Sequence, residues 1–98
     1  MKEISAKEVE ELVSKGTNPT IIDVREDDEV AQGKIPGAKH IALGTIPERV
    51  NELDPGKEYI MVCRSGGRSG KATQYLEQQG YKVTNMTGGM LAWEGPTE

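Results

Sequence analysis

The residues of this chain that could carry out chemistry are concentrated in one short segment, Cys63-Arg64-Ser65-Gly66-Gly67-Arg68-Ser69. The cysteine is a potential nucleophile, because a thiolate attacks electrophilic sulfur and phosphorus. The adjacent glycines allow positive φ angles that turn backbone N–H groups inward, and the helix expected next adds its positive end to the same anion site. Arginines favour planar, oxygen-rich anions, and serine hydroxyls donate hydrogen bonds. The segment therefore predicts a catalytic Cys63 in a loop whose other residues bind an anionic substrate.

An ordinary buried thiol is the alternative interpretation of Cys63, since free cysteine is among the residue types most often buried. A structural cysteine does not need two arginines and two glycines within five residues, so the neighbours favour the functional interpretation. A solvated surface pair is the alternative for the two arginines, and the anion-binding role is favoured more for Arg68 than for Arg64. For Gly66 and Gly67 a plain turn is compatible with the anion site.

A strand and a helix are expected to position this loop. The apolar run Glu58–Val62 predicts the clearest strand of the chain, and residues 69–79 have helical spacing. Cys63 then lies at the carboxyl end of a strand, where open α/β sheets bind ligands. Short apolar runs alternate with helical segments throughout, which predicts one α/β domain over residues 1–98, with a mostly parallel sheet and helices on its faces.

The other elements are predicted from caps, turns and apolar runs. Ser5 and Glu8 have the spacing of a capping box and begin a first helix, and Thr45 and Glu48 repeat that spacing ahead of another. Further strands are expected at 20–24, 40–43 and 82–86, a short helix at 27–32, and a closing segment at 88–93.

Composition excludes several classes of function. Twelve basic against sixteen acidic residues give a net charge of −4, which disfavours general nucleic-acid binding. The apolar run Tyr59–Cys63 is far too short to span a membrane, and no signal peptide is recognised at the N-terminus, so a cytoplasmic protein is expected. A single cysteine allows no intramolecular disulfide. One Cys and one His, not grouped at ligand spacing, predict no metal site, and no cofactor is expected.

Several polar residues are assigned to structure. Asp23 is expected to hydrogen-bond loop backbone, and Arg25 to pair with a carboxylate. His40 lies in a predicted strand and is interpreted as a satisfied histidine, since a dyad with the cysteine needs a tertiary coincidence. The acidic run Glu26–Glu29 is expected to be a solvated helix face. Trp93 is expected to be core or cover.

Four segments, in the family's order, resemble the rhodanese family over nearly the whole chain. Cys63–Ser69 is similar to its active-site loop, Cys-x-x-Gly-x-Arg-Ser, and 23–25 is similar to its Asp-Val-Arg signature. Residues 33–38 resemble Gly-His-Ile-Pro-Gly-Ala, with Lys34 in place of the His, a change expected to matter little within a structural turn. Residues 88–93 resemble the closing Gly-Gly-x-x-Ala-Trp, and the tail after Trp93 is shorter than in many relatives.

The resemblance implies a three-layer fold, with a five-stranded, mostly parallel sheet flanked by helices. It also implies sulfur transfer without a cofactor. Cys63 would take the outer sulfur of a small anion such as thiosulfate, becoming a persulfide, and pass it to a thiol or cyanide. A protein persulfide is an alternative donor, and the oligomeric state stays open.

Two other functions are weighed against this thiosulfate sulfurtransferase. A cysteine phosphatase or arsenate reductase on the same fold has one residue more between nucleophile and arginine. Here four residues separate Cys63 from Arg68, which predicts a tighter loop, better sized for a single sulfur. The second alternative is a sulfur carrier or interaction module that holds sulfur for a partner protein without turnover, because an intact Cys63 suits that role equally well.

Overall fold

The computed structural model describes all 98 residues. Its strands are β1 Lys2–Ser5, β2 Ile21–Asp23, β3 Lys39–His40, β4 Glu58–Val62 and β5 Lys82–Thr87. Its α-helices are α1 Ala6–Ser14, α2 Asp27–Ala31, α3 Ile46–Arg49 and α4 Gly67–Gln78. Short 3-10 turns occupy Leu43–Thr45, Val50–Glu52 and Gly89–Ala92. None of the helices combines the length and the apolar character needed to cross a membrane.

The five strands form one sheet in the order β1-β5-β4-β2-β3. Every neighbouring pair is parallel, so the expected five-stranded sheet is confirmed and the "mostly parallel" arrangement is parallel throughout. The central strand is β4, with β5 on one side and β2 on the other. Because all strands point the same way, the ends of β2, β4 and β5 meet at one edge, and the cysteine loop begins there.

Two apolar cores cover the two faces of the sheet. Successive side chains of a strand point to opposite faces, and the end of β4 follows this rule. Met61 and Cys63 pack into the core that contains Leu76 of α4, whereas Val62 packs into the core that contains Val9 of α1. The three predicted layers are therefore present, and the cysteine lies on the α4 side of the sheet.

Local capping signals had different outcomes at the two predicted capping boxes. At the start of α1 the box is confirmed, because Glu8 N donates to Ser5 Oγ and Ser5 N donates to Glu8 Oε1, both at 3.1 Å. At Thr45 the box is wrong. The Thr45 backbone is already helical (φ −102°, ψ −5°), and its hydroxyl donates back to Ala42 O at 2.8 Å.

Element boundaries also differ at the sheet edges. The strand expected at 40–43 is only Lys39–His40, because the chain then enters a 3-10 turn. The edge strand β1 has no apolar pattern that predicts it. Pairing with residues 84–87 of β5 defines this strand, and that pairing is a long-range contact. The helix expected at 69–79 begins earlier, at Gly67.

Candidate active site

The loop after β4 wraps around the cysteine sulfur. Gly66 adopts the left-handed conformation (φ 106°) as the N-cap of α4, and its N–H donates to Cys63 Sγ at 3.0 Å. Positive φ was expected at both glycines and occurs only at Gly66, because Gly67 is already the first residue of the helix. The predicted inward-facing amide is therefore present, and one glycine supplies the unusual backbone angle.

The Cys63 sulfur is buried under a loop that is itself at the surface. Cys63 is 1% exposed, whereas Arg64, Ser65 and Gly67 are exposed. Burial raises the pKa of the Cys63 thiol, but hydrogen bonds from the Ser69 hydroxyl and from the amides of Ser69, Gly66 and Ser65 outweigh it, so the pKa lies below its usual value. The amides thus face the sulfur and favour its anionic form.

A buried asparagine of β5 supports this loop from below. Asn85, 4% exposed, donates from Nδ2 to Gly66 O at 3.2 Å and accepts at Oδ1 from Ser69 Oγ at 2.5 Å. Sequence reasoning missed this residue. The available signal was a polar side chain inside an otherwise strand-forming run, since asparagine is depleted in strands.

The closing segment holds the end of β4 through backbone contacts. Met90 N donates to Cys63 O at 2.9 Å, and Leu91 N donates to Arg64 O at 3.0 Å. This approach requires glycine at position 89, because a Cβ there would lie 2.4 Å from the Arg64 carbonyl carbon and oxygen. Gly89, in the closing segment, is therefore part of the architecture of the site.

The two loop arginines have different surroundings. Arg68 makes a two-pronged ion pair with Glu29 of α2, Nη1–Oε1 at 2.6 Å and Nη2–Oε2 at 2.8 Å. Its hydrogen bonds lower the pKa of Glu29 from 4.5 to about 2 and raise the pKa of Arg68. The expectation of a solvated face is wrong for Glu29. Arg64, in contrast, is exposed, and its guanidinium has no hydrogen-bond or ion-pair partner.

An open cleft of about 320 Å³ lies beside the loop. It is lined by Arg25, Glu29, Gln32, Arg64, Met90 and Leu91. Neither Cys63 nor Arg68 is among the lining residues, so the cleft meets the loop at Arg64. Leu91 is 68% exposed at its rim.

Four residues that were assigned to structure, Asp23, Arg25, His40 and Trp93, behave as expected. Asp23 accepts the backbone N–H of Arg25 at 3.0 Å and pairs with the Arg25 guanidinium at 2.8 Å. Arg25 also donates to Gly33 O at 2.8 Å. The His40 ring lies 2.6 Å from Arg25 O through Nε2, which must carry the proton because a carbonyl only accepts. His40 is thus satisfied and makes no hydrogen bond to Cys63. Trp93 is 9% exposed in the α1-side core.

The turn that carries Lys34 is tied to the tail of the chain. The backbones of Lys34 and Glu98 pair in both directions, at 3.2 and 2.9 Å, and their side chains form an ion pair. Glu98 also accepts from Gly37 N at 3.1 Å, and these contacts lower its pKa. The change to Lys34 was expected to matter little within a structural turn. Lys34 also holds the end of the chain in place through its contacts with Glu98.

No three His, Cys, Asp or Glu side chains are grouped so that they could hold a metal ion. The groups that the fold brings together here are one sulfur, the polar groups around it and the nearby guanidinium groups. Fold and site together define a small α/β domain in which a loop that begins with a cysteine lies at the carboxyl edge of a parallel sheet.

Comparison with known proteins gives the family. The chain belongs to the rhodanese family: the model for the "Rhodanese-like domain" matches residues 5–96. The Bacillus subtilis (strain 168) protein named "Putative sulfurtransferase YtwF" is 50% identical over 98 residues, covering 100% of this chain and 95% of that protein. This confirms the resemblance of the four segments and supports membership of a sulfurtransferase family.

Two further similarities bear on fold and role. "Putative sulfur carrier protein YrkF" of the same organism is 40% identical over 97 residues, covering 98% of this chain and 52% of that protein. A crystal structure of a "Rhodanese-like Domain Protein" from Staphylococcus aureus superposes with a TM-score of 0.94 at 39% identity, covering 100% of this chain and 97% of that one. The expected fold is thus confirmed.

Proposed function

We propose that this protein is a sulfurtransferase that carries a sulfur atom as a persulfide on Cys63, with thiosulfate or a related persulfide as donor. The observation behind the proposal is that polar groups of the loop surround the sulfur, with Gly66 N at 3.0 Å and Ser69 Oγ at 3.3 Å from Sγ. We place the reaction within one domain over residues 1–98, and in the cytoplasm, where a lone thiol stays reduced.

The reaction needs no external oxidant or reductant. The Cys63 thiolate attacks the outer sulfur of thiosulfate, a new S–S bond forms, and the old S–S bond breaks with its electron pair leaving on sulfite. An acceptor such as cyanide or a thiolate then attacks the terminal sulfur of the persulfide. The Cys63 S–S bond breaks, the thiolate is regenerated, and thiocyanate or a new persulfide leaves. This is a two-step covalent mechanism.

The loop amides stabilise the anions of this cycle. Amides of Ser65, Gly66 and Ser69 already lower the thiol pKa, and the terminal sulfur of a persulfide carries a similar charge at the mouth of the same loop. Preorganised amides stabilise such charge without reorganising during the reaction. Burial of Cys63, only 1% exposed, keeps bulk water away from its Sγ.

We assign anion binding to the two loop arginines, which differ in their surroundings. Arg64 has a free, exposed guanidinium in the cleft beside the loop, so we assign it the sulfonate group of the donor. Arg68 was the ligand preferred from sequence. Glu29 already occupies both of its terminal nitrogens, so Arg68 binds a donor fully only when that pair opens.

The test is the conversion of thiosulfate and cyanide to thiocyanate by the full chain. Cys63→Ser is the matched control, since it keeps the shape of the side chain and removes the nucleophilic sulfur. We expect turnover in the unmodified protein and none in the variant. Equal thiocyanate formation by both proteins, or none from thiosulfate and glutathione persulfide alike, would refute the proposal.

A sulfur carrier is the second candidate, and the similarity to a protein named as a sulfur carrier favours it. A carrier would show a stable Cys63 persulfide by mass spectrometry after exposure to the donor, with negligible release to cyanide. The phosphatase alternative predicts hydrolysis of an aryl phosphate instead. The short spacing between Cys63 and Arg68 argues against it.

A further inference from the structure

The Ser69 hydroxyl has more acceptors within reach than it can serve. Its oxygen lies 2.5 Å from Asn85 Oδ1, 3.3 Å from Cys63 Sγ and 3.3 Å from Gly66 O. A hydroxyl carries one proton and donates one such hydrogen bond. The contact to Asn85 is by far the shortest, so the hydroxyl proton points toward Asn85. The lone pairs of Ser69 Oγ are then free to accept a hydrogen bond from the Cys63 S–H.

The orientation of the Asn85 amide follows from its second contact. Asn85 Nδ2 donates to Gly66 O at 3.2 Å. Reversing the amide would place its oxygen against that carbonyl, so that two acceptors would face each other. Asn85 Oδ1 therefore faces Ser69. Ser69 is 0% and Asn85 4% exposed, so solvent supplies almost no alternative partner to either group.

We propose that Asn85 is a positioning residue that competes with the Cys63 sulfur for the single proton of Ser69. In the resting thiol, the S–H donates to Ser69 Oγ, and Ser69 donates to Asn85. When the sulfur becomes an anion, the Ser69 hydroxyl rotates to donate to it, and the bond to Asn85 is given up. Asn85 therefore favours the thiol form and opposes the loop amides, which favour the anion. This inference rests on the proposed role of Cys63 as the sulfur-carrying nucleophile.

The charged groups around the sulfur do not account for the effect on the Cys63 pKa that we assign to Asn85 and Ser69. Arg68 of α4 attracts the thiolate, and Glu29 of α2 offsets part of that charge through the ion pair. Arg64 is exposed on the loop, and the charged residues at the end of β2 pair with each other. Residues 83–90 of β5 and the closing segment include no charged side chain. These groups are unchanged when Asn85 or Ser69 is substituted.

The test measures the Cys63 pKa from the pH dependence of alkylation by iodoacetamide, in Asn85→Ala, Ser69→Ala and the double variant. Asn85→Ala frees the Ser69 proton for the sulfur, so we expect the pKa to fall by about half a unit to one unit, the worth of one neutral hydrogen bond. Ser69→Ala removes the donor and raises the pKa. In the Ser69→Ala background, Asn85→Ala should then leave the Cys63 pKa unchanged.

Two outcomes would overturn the inference. One is a rise of the pKa in Asn85→Ala; the other is the same shift of the pKa in both backgrounds, which would mean that Asn85 acts through the Gly66 amide alone. Asn85→Asp serves as a second variant of nearly the same shape. A carboxylate holds the Ser69 proton more firmly and repels the thiolate, so the pKa should rise, opposite to Asn85→Ala. Loss of loop structure would shift both variants in one direction.

Alkylation requires no sulfur donor, so this test is independent of turnover. A protein that shows the predicted pKa changes but forms no thiocyanate from either thiosulfate or glutathione persulfide would refute the proposed function and leave the Asn85 inference standing. A protein that turns over but lacks these pKa changes would do the reverse.

Discussion

Glu29→Gln is the perturbation that most directly tests how the site is arranged. Glu29 holds both terminal nitrogens of Arg68 at 2.6 and 2.8 Å, and it reaches them from α2, far from the loop in sequence. Glutamine keeps the size of the side chain, but it has no charge and only one acceptor oxygen. We expect the variant to be less stable and, in the same protein, to bind thiosulfate more tightly, because the Arg68 guanidinium becomes available.

The magnitude follows from the Glu29 pKa. A carboxyl group lowered from 4.5 to about 2 corresponds to at most about 3 kcal/mol, at about 1.4 kcal/mol per pKa unit. The Arg68 and Glu29 side chains are 34% and 26% exposed, so solvent screening reduces the contribution to about 1 kcal/mol. For a domain of this size, that loss lowers Tm by about 4 °C or more. The freed guanidinium should lower the thiosulfate KM by about two- to fivefold.

The pH dependence has a defined sign. Because folding lowers the Glu29 pKa, the carboxylate stabilises the fold fully above pH 4.5 and loses this contribution as the pH falls toward about 2. Thermal unfolding of the unmodified chain and of Glu29→Gln should therefore differ at pH 7 and converge in acid. Thiosulfate KM, measured at pH 7 through thiocyanate formation, gives the second readout.

Asp28→Asn is the matched control, since it makes the same change of charge on an exposed neighbour in the first turn of α2. It should leave both Tm and KM nearly unchanged. If Glu29→Gln unfolds at the same temperature as Asp28→Asn at every pH, the ion pair contributes nothing to stability. If its KM does not fall below that of the control, Arg68 is not a ligand that Glu29 withholds.

Two further predictions concern the arginines and the glycines. Arg64→Ala should raise the thiosulfate KM about three- to tenfold with no change in Tm, because its guanidinium is exposed and unpaired, whereas Arg68→Ala should raise KM and also lower Tm; equal Tm values for the two variants would contradict this. Gly89→Ala should destabilise the fold by about 2 kcal/mol or more in urea unfolding, because φ is +56° and the new Cβ would lie 2.4 Å from the Arg64 carbonyl carbon and oxygen. Gly67→Ala is its control, since a Cβ there meets nothing within 4 Å and the position is helical, so stability should be unchanged or slightly higher.

The sequence alone determined the parts of the protein that depend on local interactions. Strand β4 runs over Glu58–Val62 as predicted, and the Ser5–Glu8 box caps α1. The candidate nucleophile could also be selected, because cysteine, glycines and arginines adjoin one another in the chain. Such features can be predicted from the sequence, since the groups that make them lie within a few residues of each other.

Tertiary structure decided which partners those residues meet. Thr45 is a residue type that often caps helices, but the chain enters α3 from a 3-10 turn. The Thr45 hydroxyl donates to Ala42 O instead. Strand β1 exists because β5 offers it a parallel edge.

The active site shows the same division. Asn85 supports the loop because the strand order places β5 beside β4, and Glu29 reaches Arg68 because β2 is the other neighbour of β4 and α2 follows it. The two contacts join residues that are separated by 16 and by 39 positions in the chain, so no local sequence spacing could predict them. The local sequence thus determined where the candidate cysteine would lie, and the order of the strands determined which side chains surround its loop, because only packing of the whole sheet brings those groups together.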